Sequence, residues 1–209
     1  MAPDPFQSEP SLGSAESFRS AADGRVRRAV PGLVVAQSRR MRLLPLDYDD
    51  IPQLSGLFAQ TSAYPLLMDS PTRFIDVAAI VACVHRLYAG ARGLGAWRAE
   101  ALDGTFVGLL SLLPVQGSDD LEIHVRLKPE AWGRWYAIEG THLLCRQAFD
   151  VVGVPRLLGY CHPEHRRVRR IALRLGFRDL GLCEHRRQLA QCYALDVATW
   201  RERSAAVAH

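Results

Sequence analysis

The sequence predicts a single α/β domain of the α+β type, built on a mixed, mostly antiparallel sheet with flanking helices. Several stretches repeat apolar residues at helical spacing, and others alternate or run apolar over the length of a strand. Turn signals link the middle strands, so those neighbours run antiparallel, whereas helices separate the later strands. The 209 residues are 48% hydrophobic and 23% charged, which fits one ordinary domain plus a tail.

The domain is expected over residues 33–203. Residues 1–32 are rich in Pro, Ser, Ala, Gly and charge, a composition typical of a disordered tail, and 204–209 are expected to form a short C-terminal tail. No run of 18 apolar residues occurs, and no basic start precedes an apolar run. The sequence therefore predicts neither a membrane partner nor a secretory leader, and it favours a cytoplasmic location.

Cysteine and charge usage restrict the classes of ligand. The five cysteines form no C-x-x-C pair, which predicts small buried thiols in a reducing compartment. No set of Cys and His has ligand spacing, so no metal site is predicted. The net charge is +4 with a single lysine, Lys128. The arginine excess suits anionic ligands such as phosphates, but no aromatic-plus-basic pattern favours a nucleic-acid partner.

The ordered part begins with a strand that leads into two helices. Met41–Leu46 is predicted as the strand, and aspartates at 47, 49 and 50 follow it. Carboxylates at a helix start suit the free N–H groups and the dipole there. Apolar residues then recur at helical spacing over 51–58, and a second helix is expected from about Arg73 to Tyr88.

Three strands joined by turns come next. They are expected at Gly95–Glu100, Thr105–Leu113 and Leu121–Leu127. Asp103-Gly104 is a hairpin turn signal, and residues 117–120 form a second turn. The third of these strands alternates apolar and polar residues, which marks a half-buried strand.

Helices and strands alternate in the rest of the chain. A broad apolar face predicts a helix from about Tyr136 to Gly153, followed by a strand at Arg156–Cys161. A further helix is expected over Pro163–Leu175, ended by a glycine in the helix-closing position. Two strand candidates, at Phe177–Glu184 and Gln188–Leu195, complete the sheet.

Three segments carry a resemblance to a known family. They are Arg42-Leu-Leu-Pro-Leu46, then Leu127-Lys-Pro-Glu-Ala-Trp-Gly-Arg-Trp-Tyr-Ala-Ile-Glu139, and finally His162-Pro-Glu-His165 with Leu175-Gly-Phe177. These segments and the order of elements resemble the GNAT acyltransferases, in particular the branch of ribosomal-protein N-terminal acetyltransferases. The resemblance implies the GNAT fold, with about six or seven strands and two splayed central strands. It also implies acyl transfer from acetyl-CoA, or another acyl-CoA, to an amine.

The resemblance places coenzyme A where the third hairpin strand turns into a helix. Bare backbone N–H groups at such a helix start bind a diphosphate without lysines. The splayed strand would supply backbone hydrogen bonds to the pantetheine arm. The implied cofactor-binding residues are Ile123, Val125, Leu127, Trp132, Gly133, Arg134, Trp135, Tyr136, Ala137, His165 and Arg166.

The sequence departs from the family pattern at four positions. Trp135 stands where the family has glycine, so it either points away or blocks the diphosphate, and it is strained if the loop needs a positive φ. His165 replaces an asparagine. Val168 replaces a serine suited to protonating the leaving thiolate, and Ala172 stands where other branches have a tyrosine acid. A catalytically degenerate binding or regulatory protein therefore remains an alternative, as does a relative that uses a carrier protein or aminoacyl-tRNA as donor.

The acceptor amine must lose a proton before it attacks, so a base is required. The candidate catalytic residues are Glu122, His124 and Glu184. The first two share one face of their strand and are able to relay a proton, whereas the third is expected to face the acceptor cleft. The alternative is a salt-bridged acid beside a hydrogen-bonded histidine. The expected acceptor is a protein N-terminus or a small-molecule amine, and the helix pair Asp49–Tyr88 is the expected wall of its binding site. The sequence does not decide between a monomer and a homodimer.

Overall fold

A computed structural model describes residues 35–60, 74–90, 93–115 and 117–207. The tail expected at 1–32 and the connection at 61–73, part of the expected acceptor wall, lie outside the described residues. The final helix continues through Val207, past the predicted domain boundary at 203. No described helix is both long and apolar enough to cross a membrane.

Among the described residues, eight strands form one sheet. They are β1 (Ala36–Gln37), β2 (Met41–Pro45), β3 (Gly95–Ala101), β4 (Phe106–Pro114), β5 (Leu121–Leu127), β6 (Arg156–Cys161), β7 (Arg178–His185) and β8 (Gln188–Asp196). Their order across the sheet is β1-β2-β3-β4-β5-β6-β8-β7. All neighbours are antiparallel except β5 and β6, which are parallel. The mixed, mostly antiparallel sheet is confirmed, with one strand more than the upper predicted number, because the two-residue β1 also pairs.

Within the part of the chain that the structure describes, five α-helices accompany the sheet. They are α1 (Ile51–Ala59), α2 (Phe74–Gly90), α3 (Tyr136–Arg146), α4 (Arg166–Leu175) and α5 (Val197–Val207). A π-helical segment, Gln147–Val152, extends α3 and ends at Gly153 with a φ of 83°. The sequence predicted α1 to α4 but missed α5, whose burial depends mainly on Trp200, stacked on Phe149 with ring centroids 5.8 Å apart.

The sheet separates two apolar clusters. One packs α1 and α2 against Ala96 and Leu109, and the other packs α3 against Leu110 and Leu112. Because side chains alternate along a strand, even-numbered residues of β5 face the α1–α2 side and odd-numbered residues face the α3 side. Leu109 pairs with Arg126, and Leu110 pairs with Val125, which fixes that assignment. We call these the α1–α2 face and the α3 face.

Gly140 lets α3 approach the sheet closely. A Cβ built on Gly140 would lie 2.5 Å from Cδ2 of Leu110, a side chain with no exposed surface. The helix that begins beside the candidate site is therefore held by a contact that no larger residue permits.

We predict that Gly140→Ala destabilises the protein, because overpacking outweighs the better helix propensity of alanine. The expected net loss is about 1 to 2 kcal/mol in the free energy of unfolding, measured with urea. Gly56→Ala is the matched control, since nothing lies within 4 Å of a Cβ at that helical glycine. It should stabilise the protein by about 0.5 to 1 kcal/mol, and equal effects of the two variants would contradict the close packing.

Candidate active site

The two parallel strands β5 and β6 separate after a short ladder. They pair only at Leu121 with Leu157 and at Glu122 with Leu158. Beyond these pairs β5 continues along β4 to Leu127, whereas β6 continues along β8 to Cys161. A gap therefore opens between β5 and β6 after Glu122, as the predicted splay requires.

The backbone of β5 faces this gap at alternate residues. Lys128 N donates to Val107 O at 2.9 Å, so even-numbered residues direct their N–H and C=O groups toward β4. Ile123, Val125 and Leu127 consequently direct theirs toward the gap. The Leu127 carbonyl already accepts a bond from Trp132 Nε1 at 3.1 Å, which leaves Ile123 and Val125 as the backbone positions best suited to hold a ligand.

The gap leads to the start of α3. The first recorded backbone bond of this helix runs from Glu139 N to Trp135 O, at 3.0 Å. The N–H groups of Tyr136, Ala137 and Ile138 precede it and have no partner inside the helix. Gly133 has a φ of 75°, and a Cβ built on it would meet nothing within 4 Å. We call Trp132–Tyr136 the donor loop, and the bare amides and dipole at the start of α3 suit an anion.

The backbone of Trp135 has the positive φ at which a bulky residue is strained. Its φ of 70° and ψ of −5° lie in the left-handed region, which costs a non-glycine residue about 1 to 2 kcal/mol. The side chain is 49% exposed. Its indole lies against α4, with the guanidinium carbon of Arg174 4.9 Å from the ring centroid.

The start of α4 holds the other expected ligand contacts. His165 precedes the helix, and both Arg134 and Arg166 are exposed. Burial lowers the pKa of His165, and the charge of Arg167 adds to that effect. At neutral pH the ring is therefore neutral. Val168 packs against the core on this helix.

Glu122 is the centre of a charged cluster on the α1–α2 face. Its Oε1 lies 3.0 Å from His124 Nε2 and 3.2 Å from His185 Nε2, and its Oε2 lies 3.5 Å from an Arg186 nitrogen. The His124 contact has ion-pair distance without hydrogen-bond alignment. Burial alone would raise the pKa of the Glu122 carboxyl, but the contacts from His124 and His185 and the charge of Arg186 hold it well below its usual range. We call these four residues the Glu122 cluster.

The structure adds residues to this face that the sequence did not indicate. The His185 ring stacks on Tyr160 of β6 with centroids 3.9 Å apart and planes 9° apart. Burial raises the pKa of Tyr160 to about 12, so its hydroxyl keeps its proton at neutral pH. The phenol ring of β6, a strand that flanks the gap, therefore supports the histidine of β7.

Glu184 does not join the cluster. It is exposed, and it points to the α3 face because its neighbour His185 points to the α1–α2 face. A register shift between Asp179 and Gly181 inserts one extra residue into β7. That bulge reverses the faces of all following residues, so the structure brings His185 to the α1–α2 face in place of the expected glutamate.

Comparisons with known proteins agree with this geometry. Residues 40–178 match the family model described as an acetyltransferase (GNAT) domain. A curated relative from Aspergillus fumigatus, FsC-acetyl coenzyme A-N(2)-transacetylase, is 35% identical over 75 residues. That match covers 32% of this chain and 32% of the relative, so the chain spans only about a third of its length.

Solved structures show the same fold at low identity. The RimL ribosomal-protein alpha-N-acetyltransferase in complex with coenzyme A has a TM-score of 0.69 and 17% identity, covering 80% of this chain and 99% of that one. An acetyltransferase of the GNAT family from Bacillus anthracis has a TM-score of 0.65 and 16% identity, covering 78% and 98%. A GCN5-related N-acetyltransferase from Brucella melitensis has a TM-score of 0.63 and 20% identity, covering 79% of each chain.

We predict that Glu122→Gln destabilises the protein at neutral pH, because it removes the anion that His124, His185 and Arg186 contact. The expected loss is about 1.5 to 3 kcal/mol in the free energy of unfolding at pH 7. The folded pKa of Glu122 is depressed, so its stabilisation is complete above the unfolded value of about 4.3 and declines as the pH falls below it.

Urea unfolding of wild type and variant measures this effect. The series runs from pH 7 down to the lowest pH at which the wild type stays folded. The difference between the two proteins should shrink as the pH falls. Glu184→Gln is the control, since this exposed glutamate on the same sheet should change stability by less than about 0.5 kcal/mol. A difference that is independent of pH would count against the ionised cluster.

Proposed function

This chain belongs to the GNAT acetyltransferase family, and from that premise we propose that it is an acyl-CoA-dependent N-acyltransferase with acetyl-CoA as donor. One observation carries the proposal: a gap opens between β5 and β6 beyond Glu122, and the chain that leaves β5 continues into the bare amides at the start of α3. A long thin ligand with an anionic end fits that arrangement. The family match and the coenzyme A complex of the similar RimL structure support it.

The chain's own groups suit each part of this donor. The N–H groups of Tyr136 and Ala137 face the diphosphate, with Arg134 as an adjacent charge. The gap-facing backbone of Ile123 and Val125 pairs with the pantetheine arm. An N–H group of the same strand polarises the thioester carbonyl, because fixed backbone dipoles stabilise charge that develops on oxygen.

His124 serves as the base in this proposal. Glu122 is ionised and its pKa is depressed, which makes it a weak proton acceptor but a good partner for a cation. His124 lies on the splayed strand and is a third exposed, so it takes the proton from the acceptor ammonium, and Glu122 stabilises the resulting imidazolium. His185 and Arg186 hold the carboxylate from the other side.

Acyl transfer then proceeds by direct attack. The neutral amine nitrogen bonds to the carbonyl carbon, the carbon–sulfur bond breaks, and the nitrogen releases its second proton to solvent, because His124 already holds the proton of the ammonium. The thiolate takes a proton from solvent. Val168 and Ala172 have no proton to donate, and the lowered pKa of His165 leaves its ring neutral at neutral pH.

The acceptor is an amine of a protein N-terminus or a small molecule. An ammonium ion is attracted to the buried carboxylate of the Glu122 cluster, which faces the α1–α2 side of the sheet. The α-amino specificity named for the similar RimL protein supports the first type of acceptor.

A GNAT-fold binding or regulatory protein without turnover is the second candidate. Two observations favour it: the strained Trp135 in the donor loop and Val168 in place of a hydroxyl. Both lie on the donor side of the gap. This candidate differs from the first in predicting ligand binding without release of coenzyme A.

We predict that His124→Gln lowers kcat about a hundredfold and leaves KM for acetyl-CoA within about twofold, because it removes the base and spares the donor site. The assay is release of coenzyme A thiol with peptide and small-amine acceptors. Titration calorimetry with acetyl-CoA should give micromolar binding to both proteins.

Glu184→Gln is the control and should retain full activity. Micromolar binding without turnover, for any acceptor tested, would support the regulatory candidate instead. No binding at millimolar acetyl-CoA would overturn the donor assignment.

A further inference from the structure

Resting on the proposed function, we propose that Trp135 and Arg174 form a stacking platform for the adenine base of the donor. The platform makes the chain selective for donors that carry a nucleotide. A carrier protein, which presents phosphopantetheine without adenosine, would lack this contact. Glycine, which the family has at position 135, is unable to provide such a ring.

Trp135 differs from the other tryptophans in its surroundings. Trp97 and Trp200 are 3% and 5% exposed and belong to the core. Trp132 is 39% exposed, but its ring nitrogen is bonded to the Leu127 carbonyl. Trp135 is 49% exposed and is absent from both apolar clusters of the described residues. Folding therefore gains little from this side chain.

The backbone conformation of Trp135 is a second, independent indication that this residue does not serve folding. A φ of 70° is readily adopted by glycine, whereas it strains a tryptophan. Strained conformations of this kind concentrate at ligand sites, where the surrounding structure holds them. An exposed ring on a strained backbone, in a loop built to bind an anion, indicates contact with a ligand.

Arg174 supplies the second part of the platform. Its guanidinium lies over one face of the indole, 4.9 Å from the ring centroid, in a cation–π contact. Arg203 of α5 donates to the Arg174 carbonyl at 2.6 Å and so ties down the last turn of α4. A Cβ on Gly176 would lie 2.5 Å from Arg203, so the two helices are closely packed there. The arginine under the ring is thus anchored through its backbone.

The platform lies at the position that a nucleoside would occupy. Trp135 directly precedes Tyr136, the first bare amide of α3. In coenzyme A the diphosphate is joined to adenine through one ribose, so a base leaving the anion site reaches the neighbouring residue. Aromatic rings and guanidinium groups both stack on nucleobases.

Titration calorimetry with three probes tests the platform. The probes are coenzyme A, adenosine 3′,5′-bisphosphate, which is its nucleotide end, and 4′-phosphopantetheine, which lacks that end. Trp135→Ala should weaken binding of the first two about tenfold and leave the third within about twofold. Trp135→Phe should retain most of the affinity for all three, because a ring remains.

Arg174→Gln should weaken nucleotide binding by a few-fold, whereas Arg170→Gln, an exposed arginine of the same helix, serves as its control. Equal or tighter binding of coenzyme A by Trp135→Ala would show that the indole blocks the site, which overturns the platform but not the donor assignment. Equal loss of all three probes would make Trp135 a structural residue and also overturn the platform. Failure of the wild type to bind either coenzyme A or phosphopantetheine at millimolar concentration would overturn both proposals.

Discussion

A buried carboxylate placed where two parallel strands separate is the constraint on which the described site depends. Glu122 forms the last pair between β5 and β6, and beyond it the backbone of β5 has no strand partner on that side. The same side chain contacts His124 on β5 and His185 on β7. Glu122 thus lies where the gap begins and also connects β5 to β7, which is farther away in the sheet.

The hairpin that delivers His185 is itself held in an unfavourable conformation. Strands β7 and β8 are joined by a two-residue turn of Arg186 and Arg187, with φ values of 49° and 63°. Glycine and asparagine are preferred where both φ angles are positive. Arg186 contacts Glu122 at 3.5 Å, so an ion pair favours a turn that local propensity does not. Electrostatics on the α1–α2 face and the geometry of the hairpin are therefore coupled.

Periodic elements were predictable from the sequence, whereas the faces of β7 were not. The helices α1 to α4 and the hairpin strands have regular apolar patterns, so they were located. Uninterrupted alternation along β7 would place Glu184 on the α1–α2 face, but the bulge after Asp179 brings His185 there instead. A bulge is set by strand pairing and leaves no periodic signal. Helix α5 was not predicted for a related reason. It is anchored by one apolar side chain, Trp200, and a single residue gives no periodic apolar pattern.

Two energetically unfavourable features favour a ligand-binding site over a fold that has lost its function. A carboxylate buried beside two imidazoles and a guanidinium carries a desolvation cost that apolar residues of similar size would avoid, so the Glu122 cluster is weak evidence for stability. Trp135 likewise strains its backbone while leaving half of its ring in solvent. One of these unfavourable features lies on the α1–α2 face where the gap begins, and the other lies in the donor loop that follows β5. Features that folding does not require concentrate at functional sites, and here both border the gap that a donor would fill.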